Sequence, residues 1–226
     1  MKKISNQHVK QLAYKLGADL CGSAAVEAFI NAPAGFHPSD IFPETHSIIV
    51  IARKMPEGVL HSRTKVPYTT VMDAILADII RISCIMAVQL EKQYQALAVP
   101  VPSEPYEYWN EENQEGRGIL SLKHAGRLAG LGTIGKNTLL INRKYGNRLV
   151  LGAILTDLYI QEDRIANYPV CPDNCRLCID NCPAGAIHPY SVVQKLCRKH
   201  YSTTTSKRYF IYTCHTCRSI CPLGRI

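Results

Sequence analysis

The residues of this chain best suited to chemistry are its cysteines. Eight of the ten lie between Cys171 and Cys221. They form two groups, Cys171-x3-Cys175-x2-Cys178-x3-Cys182-Pro183 and Cys214-x2-Cys217-x3-Cys221-Pro222, with Cys197 alone between them. Thiolates are soft ligands suited to iron–sulfur clusters and to zinc. A C-x2-C pair sets two sulfurs on neighbouring corners of one cubane through a tight turn, and in two-cluster ferredoxins the cysteine of C-x3-C-P ligates the other cluster. Applied here, that rule assigns Cys171, Cys175, Cys178 and Cys221 to one [4Fe–4S] cluster. Cys182, Cys197, Cys214 and Cys217 form the second. The first gap, Pro172-Asp173-Asn174, is three residues where ferredoxins have two, so Cys171 departs from the ferredoxin spacing. Paired C-x2-C units also build structural zinc ribbons. The Cys-Pro after each x3 gap, and the Ala184-Gly185-Ala186-Ile187 after the first, are ferredoxin-like and favour iron.

Charge follows the cysteines. Residues 166–226 carry 8 Lys and Arg against 2 Asp and Glu, and supply most of the net +8 of the chain. A basic segment can bind nucleic acid. Two clusters of about −2 each, held by thiolates, account for the excess without it, through Lys195, Arg198, Lys199, Lys207, Arg208 and Arg218. No apolar segment follows Met1-Lys2-Lys3, and no stretch reaches the ~18 apolar residues of a membrane span. A cytoplasmic location is expected, with reduced thiols and no membrane partner. Cys21 and Cys84, in apolar surroundings, read as buried small hydrophobes.

The elements that must position these groups are legible upstream. Ser5 to Leu16 reads as a helix, capped by Ser5 and ended by Gly17. Residues 19–24 read as a short strand, and Ser47 to Ala52 as a buried one. Tyr68 to Ala98 has no Gly or Pro and repeats apolar residues from Met72 to Leu90 at helical spacing. Val99 to Gly118 reads as a long loop whose Tyr106, Tyr108 and Trp109 suggest that it covers something. A helix over Leu120 to Gly130 leads into a loop with Gly130, Gly132 and Gly135. Leu139–Asn142 and Arg148–Thr156 read as a β-hairpin. The pattern predicts a layered α/β or α+β domain over residues 1–165, followed by a ferredoxin-like double-cluster module over residues 166–226.

The segment Lys123-His124-Ala125-Gly126-Arg127-Leu128-Ala129-Gly130-Leu131-Gly132-Thr133-Ile134-Gly135-Lys136-Asn137 resembles the A-G-L-G-x-I-G-K-N segment of epoxyqueuosine reductases and of their relatives, the reductive dehalogenases. Leu16-Gly17-Ala18-Asp19-Leu20-Cys21-Gly22 and Phe42-Pro43-Glu44-Thr45-His46-Ser47-Ile48 resemble their early segments, and the double-cluster pattern is similar too. The resemblance implies a nitroreductase-like, cobalamin-binding domain beside a ferredoxin-like module. It implies that the Cys171 cluster lies next to the corrin, and that electrons arrive from a low-potential donor such as ferredoxin or flavodoxin. The candidate cofactor-binding residues are Lys123, His124, Gly132, Gly135, Lys136, Asn137, Leu140, Tyr201 and His215. Flavin is the weaker alternative occupant. The chain departs from the family at Val66–Thr70, where a G-R-D-Y-H segment is expected, and at Pro102–Tyr106, where an acidic proton donor is expected. It thus resembles a short, divergent member. Glu104 and Tyr106 are the candidate catalytic groups, with Tyr108 beside them.

Three functions are consistent with these residues. One is a cobalamin-dependent reductase acting on its own substrate. A second is an electron-transfer or reductive-activation protein serving a corrinoid partner. A third, a nucleic-acid binder, rests on basicity alone.

Overall fold

In the computed structural model, which describes residues 2–224, the chain is a mixed α/β protein built on one antiparallel sheet. Helix α1 (Asn6–Lys15) starts where the Ser5 hydroxyl accepts the His8 N–H, and ends at Gly17, whose φ is +107°. Strand β1 (Leu20–Ala25) pairs antiparallel with β2 (Ser47–Lys54). Helix α2 (Val66–Tyr94) follows as one unbroken run of 29 residues, and leads to β3 (Ala98–Val101). Helix α3 (Leu122–Leu128) and strand β4 (Leu149–Thr156) complete this layer. The sheet order is β1-β2-β4-β3, with β2 and β4 central and buried along most of their length.

The two-residue period of the central strands divides the core in two. Ile49, Ile51, Val150 and Ile154 face α1 and α2, meeting Val9, Ile79, Ile82, Met86 and Leu90. Ile48, Val50, Leu151, Ala153 and Leu155 face α3 and its flanks, meeting Ala125, Ala129, Leu131 and Leu140. Each fully buried aliphatic side chain contributes about 1.5–3 kcal/mol. Cys21 is buried as expected, but Cys84 is exposed on α2, because helical spacing puts it opposite the buried Ile82 and Met86 face.

The sequence hairpin is reduced to one antiparallel bridge, Asn142 with Gly146, at its turn. Leu140–Ile141 pairs with Thr133–Ile134, and β4 crosses to the centre of the sheet instead. Asn142 closes that turn: its Oδ1 accepts the N–H groups of Lys144 and Tyr145. Val99–Gly118 is also more ordered than a loop. It holds β3 and a two-stranded ribbon, Tyr108–Asn110 against Glu115–Arg117. Residues 171–224 add one-turn helices, short hairpins and helix α4 (Gln194–Tyr201).

Candidate metal centres and cofactor cavity

The structure draws cysteines from the two sequence groups together: Cys221 joins Cys171, Cys175 and Cys178, and Cys182 and Cys214 both influence Cys197. Cys171, Cys175, Cys178 and Cys221 line one small cavity together with Lys136, Asn137, Ile141 and Leu177. Burial, then the neighbouring Cys171, Cys221 and Cys175, raises the pKa of the Cys178 thiol. Cys197 is likewise raised by burial and by Cys214 and Cys182, with Arg198 opposing. Burial pushes the Cys217 thiol up to about 11; Arg218 opposes, while Cys214, Cys197 and Cys178 add to the rise. Cys178 and Cys217 thus stand where the two quartets adjoin. Among the described residues, no three His, Cys, Asp or Glu side chains close to the spacing of a single metal ion.

The donor set fits iron–sulfur clusters. Clustered, buried thiols resist ionisation unless a cationic centre shares their charge. Backbone donors also point at sulfur: the Lys136 N–H donates to Cys171 Sγ at 3.4 Å, and the Ala186 N–H to Cys182 Sγ at 3.3 Å. Such N–H···S bonds tune cluster potentials.

Lys136 holds the backbone of the first sequence group of cysteines and Asn137 that of the second. Lys136 Nζ donates to the carbonyls of Pro172, Asp173 and Cys175 at 3.0, 2.7 and 3.1 Å. Asn137 Nδ2 donates to the Cys217 carbonyl at 3.1 Å. The loop carrying them is fixed by close backbone approach. A Cβ at Gly132 would lie 2.5 Å from the Ile141 carbonyl oxygen, and Leu140 is packed in the core. Asn147 and Arg218 fasten the second group of cysteines, each donating to the other's backbone carbonyl.

A separate cavity of about 700 Å³, within the size range of ligand sites, lies beside α3. Phe29, Phe36, Leu120, Leu122 and Leu128 give it apolar walls; Ser121, Lys123, His124, Arg127 and Gln194 supply polar groups. That mixture suits a large ligand with an apolar body and polar arms, as a corrin is. Lys123 is partly buried: burial lowers its ammonium pKa and nearby Cys217 raises it. Ser121 Oγ lies 2.7 Å from His124 Nδ1. Burial, Lys123 and Arg127 lower the imidazole pKa, favouring the neutral ring and leaving Nε2 for a ligand.

Lys123, His124 and Tyr106 therefore meet at this cavity, whereas Gly132, Gly135, Lys136, Asn137 and Leu140 do not line it. Glu104 is exposed and outside the lining; it stands near Tyr201 and Tyr212, whose phenols it helps to raise after burial. Tyr201 and His215 belong to an aromatic group. Tyr201 meets Tyr212 edge-on at 5.1 Å, and His215 stacks on Tyr68 at 4.3 Å. No cysteine lines the cavity; Gln194, which does, lies on the helix that carries Cys197, and Lys123, also in the lining, is influenced by Cys217.

Sequence reasoning missed Gln194 and Tyr68, and named Arg198 only for its charge. The ring of Trp109 lies 4.9 Å from the Arg198 guanidinium and that of Tyr106 lies 5.3 Å from it. The lone Trp in a long segment was the available signal.

Fold and site together define a mixed α/β protein with a cysteine-rich segment and a ligand-sized cavity. No family model matches the chain. The epoxyqueuosine reductase of Leadbetterella byssophila is 35% identical over 105 residues, 42% of this chain and 34% of that protein. The Lactococcus garvieae enzyme is 32% identical over 107 residues, 43% of this chain and 30% of that one. The chain thus spans about a third of the length of the curated relatives it matches. The structure of the Streptococcus thermophilus epoxyqueuosine reductase superposes with a TM-score of 0.66 at 20% identity, covering 97% of this chain and 66% of that one. A catabolic reductive dehalogenase gives 0.74 at 20% identity, covering 96% and 32%. Another reductive dehalogenase structure, at 0.73 and 21%, suggests a mechanism for B12-dependent dehalogenation. The chain is epoxyqueuosine reductase-like. Among the described residues no helix is long and apolar enough to cross a membrane.

Proposed function

We propose that this chain is an iron–sulfur oxidoreductase resembling epoxyqueuosine reductase. In this reading residues 166–226 form a ferredoxin-like module with two [4Fe–4S] clusters, and residues 1–165 form a nitroreductase-like domain that holds a cobalamin. The observation that carries the reading is the crossing of the quartets, with Cys221 beside Cys171, Cys175 and Cys178. It follows the two-cluster ferredoxin rule. The clusters supply one-electron relay, and a bound corrinoid supplies a strongly reducing centre.

The residues of the chain have separable tasks in this account. Cys182, Cys197, Cys214 and Cys217 hold the cavity-side cluster; Cys171, Cys175, Cys178 and Cys221 hold the outer one. Lys136 and Asn137 fix the backbone of both groups. Lys123, His124 and Gln194 bind polar arms of the occupant, and the apolar wall excludes water. Tyr106 places its phenol in the cavity lining. Electrons come from a low-potential carrier such as ferredoxin or flavodoxin. The substrate belongs to this protein rather than to a corrinoid partner, since a simple carrier has no use for a cavity of about 700 Å³.

An anaerobic titration of the iron-reconstituted protein with cob(II)alamin, followed by electron paramagnetic resonance, tests this. Stoichiometric conversion to a protein-bound, base-off signal is expected, weakened in Lys123→Ala. No conversion in protein that retains its iron contradicts the corrinoid reading and turns attention to flavin.

A further inference from the structure

The segment from Ser103 to Gly118 forms one side of the cavity. Its ribbon packs against two arginines. At the Tyr108–Arg117 pair, Arg117 of the segment itself lies over Phe36 and Tyr108, at 5.7 and 4.9 Å. At the adjoining Trp109–Gly116 pair, Arg198 of α4 lies over Tyr106 and Trp109. Gln194, one turn before Arg198, donates from Nε2 to the Gly116 carbonyl at 3.1 Å. Its Oε1 accepts from the Gly116 N–H at 3.1 Å and from Arg198 Nη2 at 3.0 Å. Gly116 is required there, since a Cβ would lie 2.4 Å from the Tyr106 ring.

We propose that Arg198 is a positioning residue that latches this strap across the cavity, so that the occupant leaves when the latch opens at the helix carrying Cys197. The inference rests on the cofactor reading of the cavity. A guanidinium is suited to the task because its flat faces can meet aromatic rings while its edge donates to Gln194. Arg198 Nε is buried without a hydrogen-bond partner among the described residues. Opening returns that group to water, which keeps the closed state from being permanent. Arg198 also follows Cys197 directly in sequence, so the strap contact and the second group of cysteines share one helix.

The test compares iron-loaded wild type, Arg198→Lys and Arg198→Ala. Amide exchange across residues 108–117 is expected to accelerate on the order of tenfold in Arg198→Ala, with steeper acrylamide quenching of Trp109. Release of bound hydroxocobalamin, followed by chase, is expected to accelerate in both variants while the association rate holds. Arg198→Lys keeps the cluster potential, because it keeps the charge; Arg198→Ala lowers it. Unchanged exchange in Arg198→Ala overturns the latch. So does faster release that appears only where iron is lost, with Arg198→Lys behaving as wild type. If wild type binds no cobalamin, the cofactor reading fails, while exchange and Trp109 quenching still decide the latch.

Discussion

Asn137 is nearly buried, and the two ends of its amide serve different parts of the molecule. Nδ2 donates to the Cys217 carbonyl, and Oδ1 accepts the Leu139 N–H at 3.2 Å. Asn137→Ala strands a carbonyl beside the second quartet, at a cost of about 1–3 kcal/mol. The expected result is a melting temperature lower by roughly 2–10 °C and faster loss of iron to a chelator; wild-type behaviour in both contradicts the role. Cys21 offers a test by pH. Burial pushes its thiol up to about 12 from an ordinary 9.0. The native state then keeps its proton after the unfolded chain has lost one. This contribution to stability is complete below pH 9 and is lost as pH rises toward 12. Melting temperature should fall across that window less steeply in Cys21→Ala than in wild type; equal slopes contradict it. At this scale the sequence was most informative about the cysteines, whose spacing anticipated that Cys221 would join Cys171, Cys175 and Cys178 around one cavity. Cys84 was misread because its apolar neighbours in sequence point to other sides of α2.

Elements show where local signals end. The buried strand β2 and the long helix α2 were legible because their apolar patterns match one period each. The supposed hairpin was not: Arg148–Thr156 is apolar on both faces, which a hairpin arm and a central strand share, and only pairing with β2 and β3 separates them. The aromatic ribbon was read as a covering loop, and the structure supplies what it touches. Its fit depends on Gly116, so Gly116→Ala must displace Tyr106 or the ribbon itself. Steeper acrylamide quenching of Trp109 and faster amide exchange in residues 108–117 are expected, with β2 and β4 exchange unchanged. A ribbon that exchanges as in wild type contradicts the tight contact.

For the whole molecule, the central relation is between the layered sheet and the cysteine-rich segment docked on it. Polar contacts from the sheet domain fasten that segment mainly through its backbone carbonyls, at Pro172, Asp173, Cys175, Cys217 and Arg218. Carbonyl contacts tolerate varied side chains, which is why the docking left no motif to read. The arrival of Gln194 at the cavity was likewise set by tertiary packing of α4, beyond what spacing conveys. The crossing of the quartets is the most direct target for measurement. Two double variants, Cys178→Ser with Cys221→Ser and Cys178→Ser with Cys182→Ser, should be reconstituted anaerobically, then analysed for iron and by electron paramagnetic resonance. The first removes two ligands of one quartet, and is expected to keep about half the wild-type iron with one intact, uncoupled cluster signal. The second, although its cysteines are closer in sequence, takes one ligand from each quartet and is expected to leave neither signal intact. One intact cluster in the second variant and none in the first would contradict the crossed arrangement.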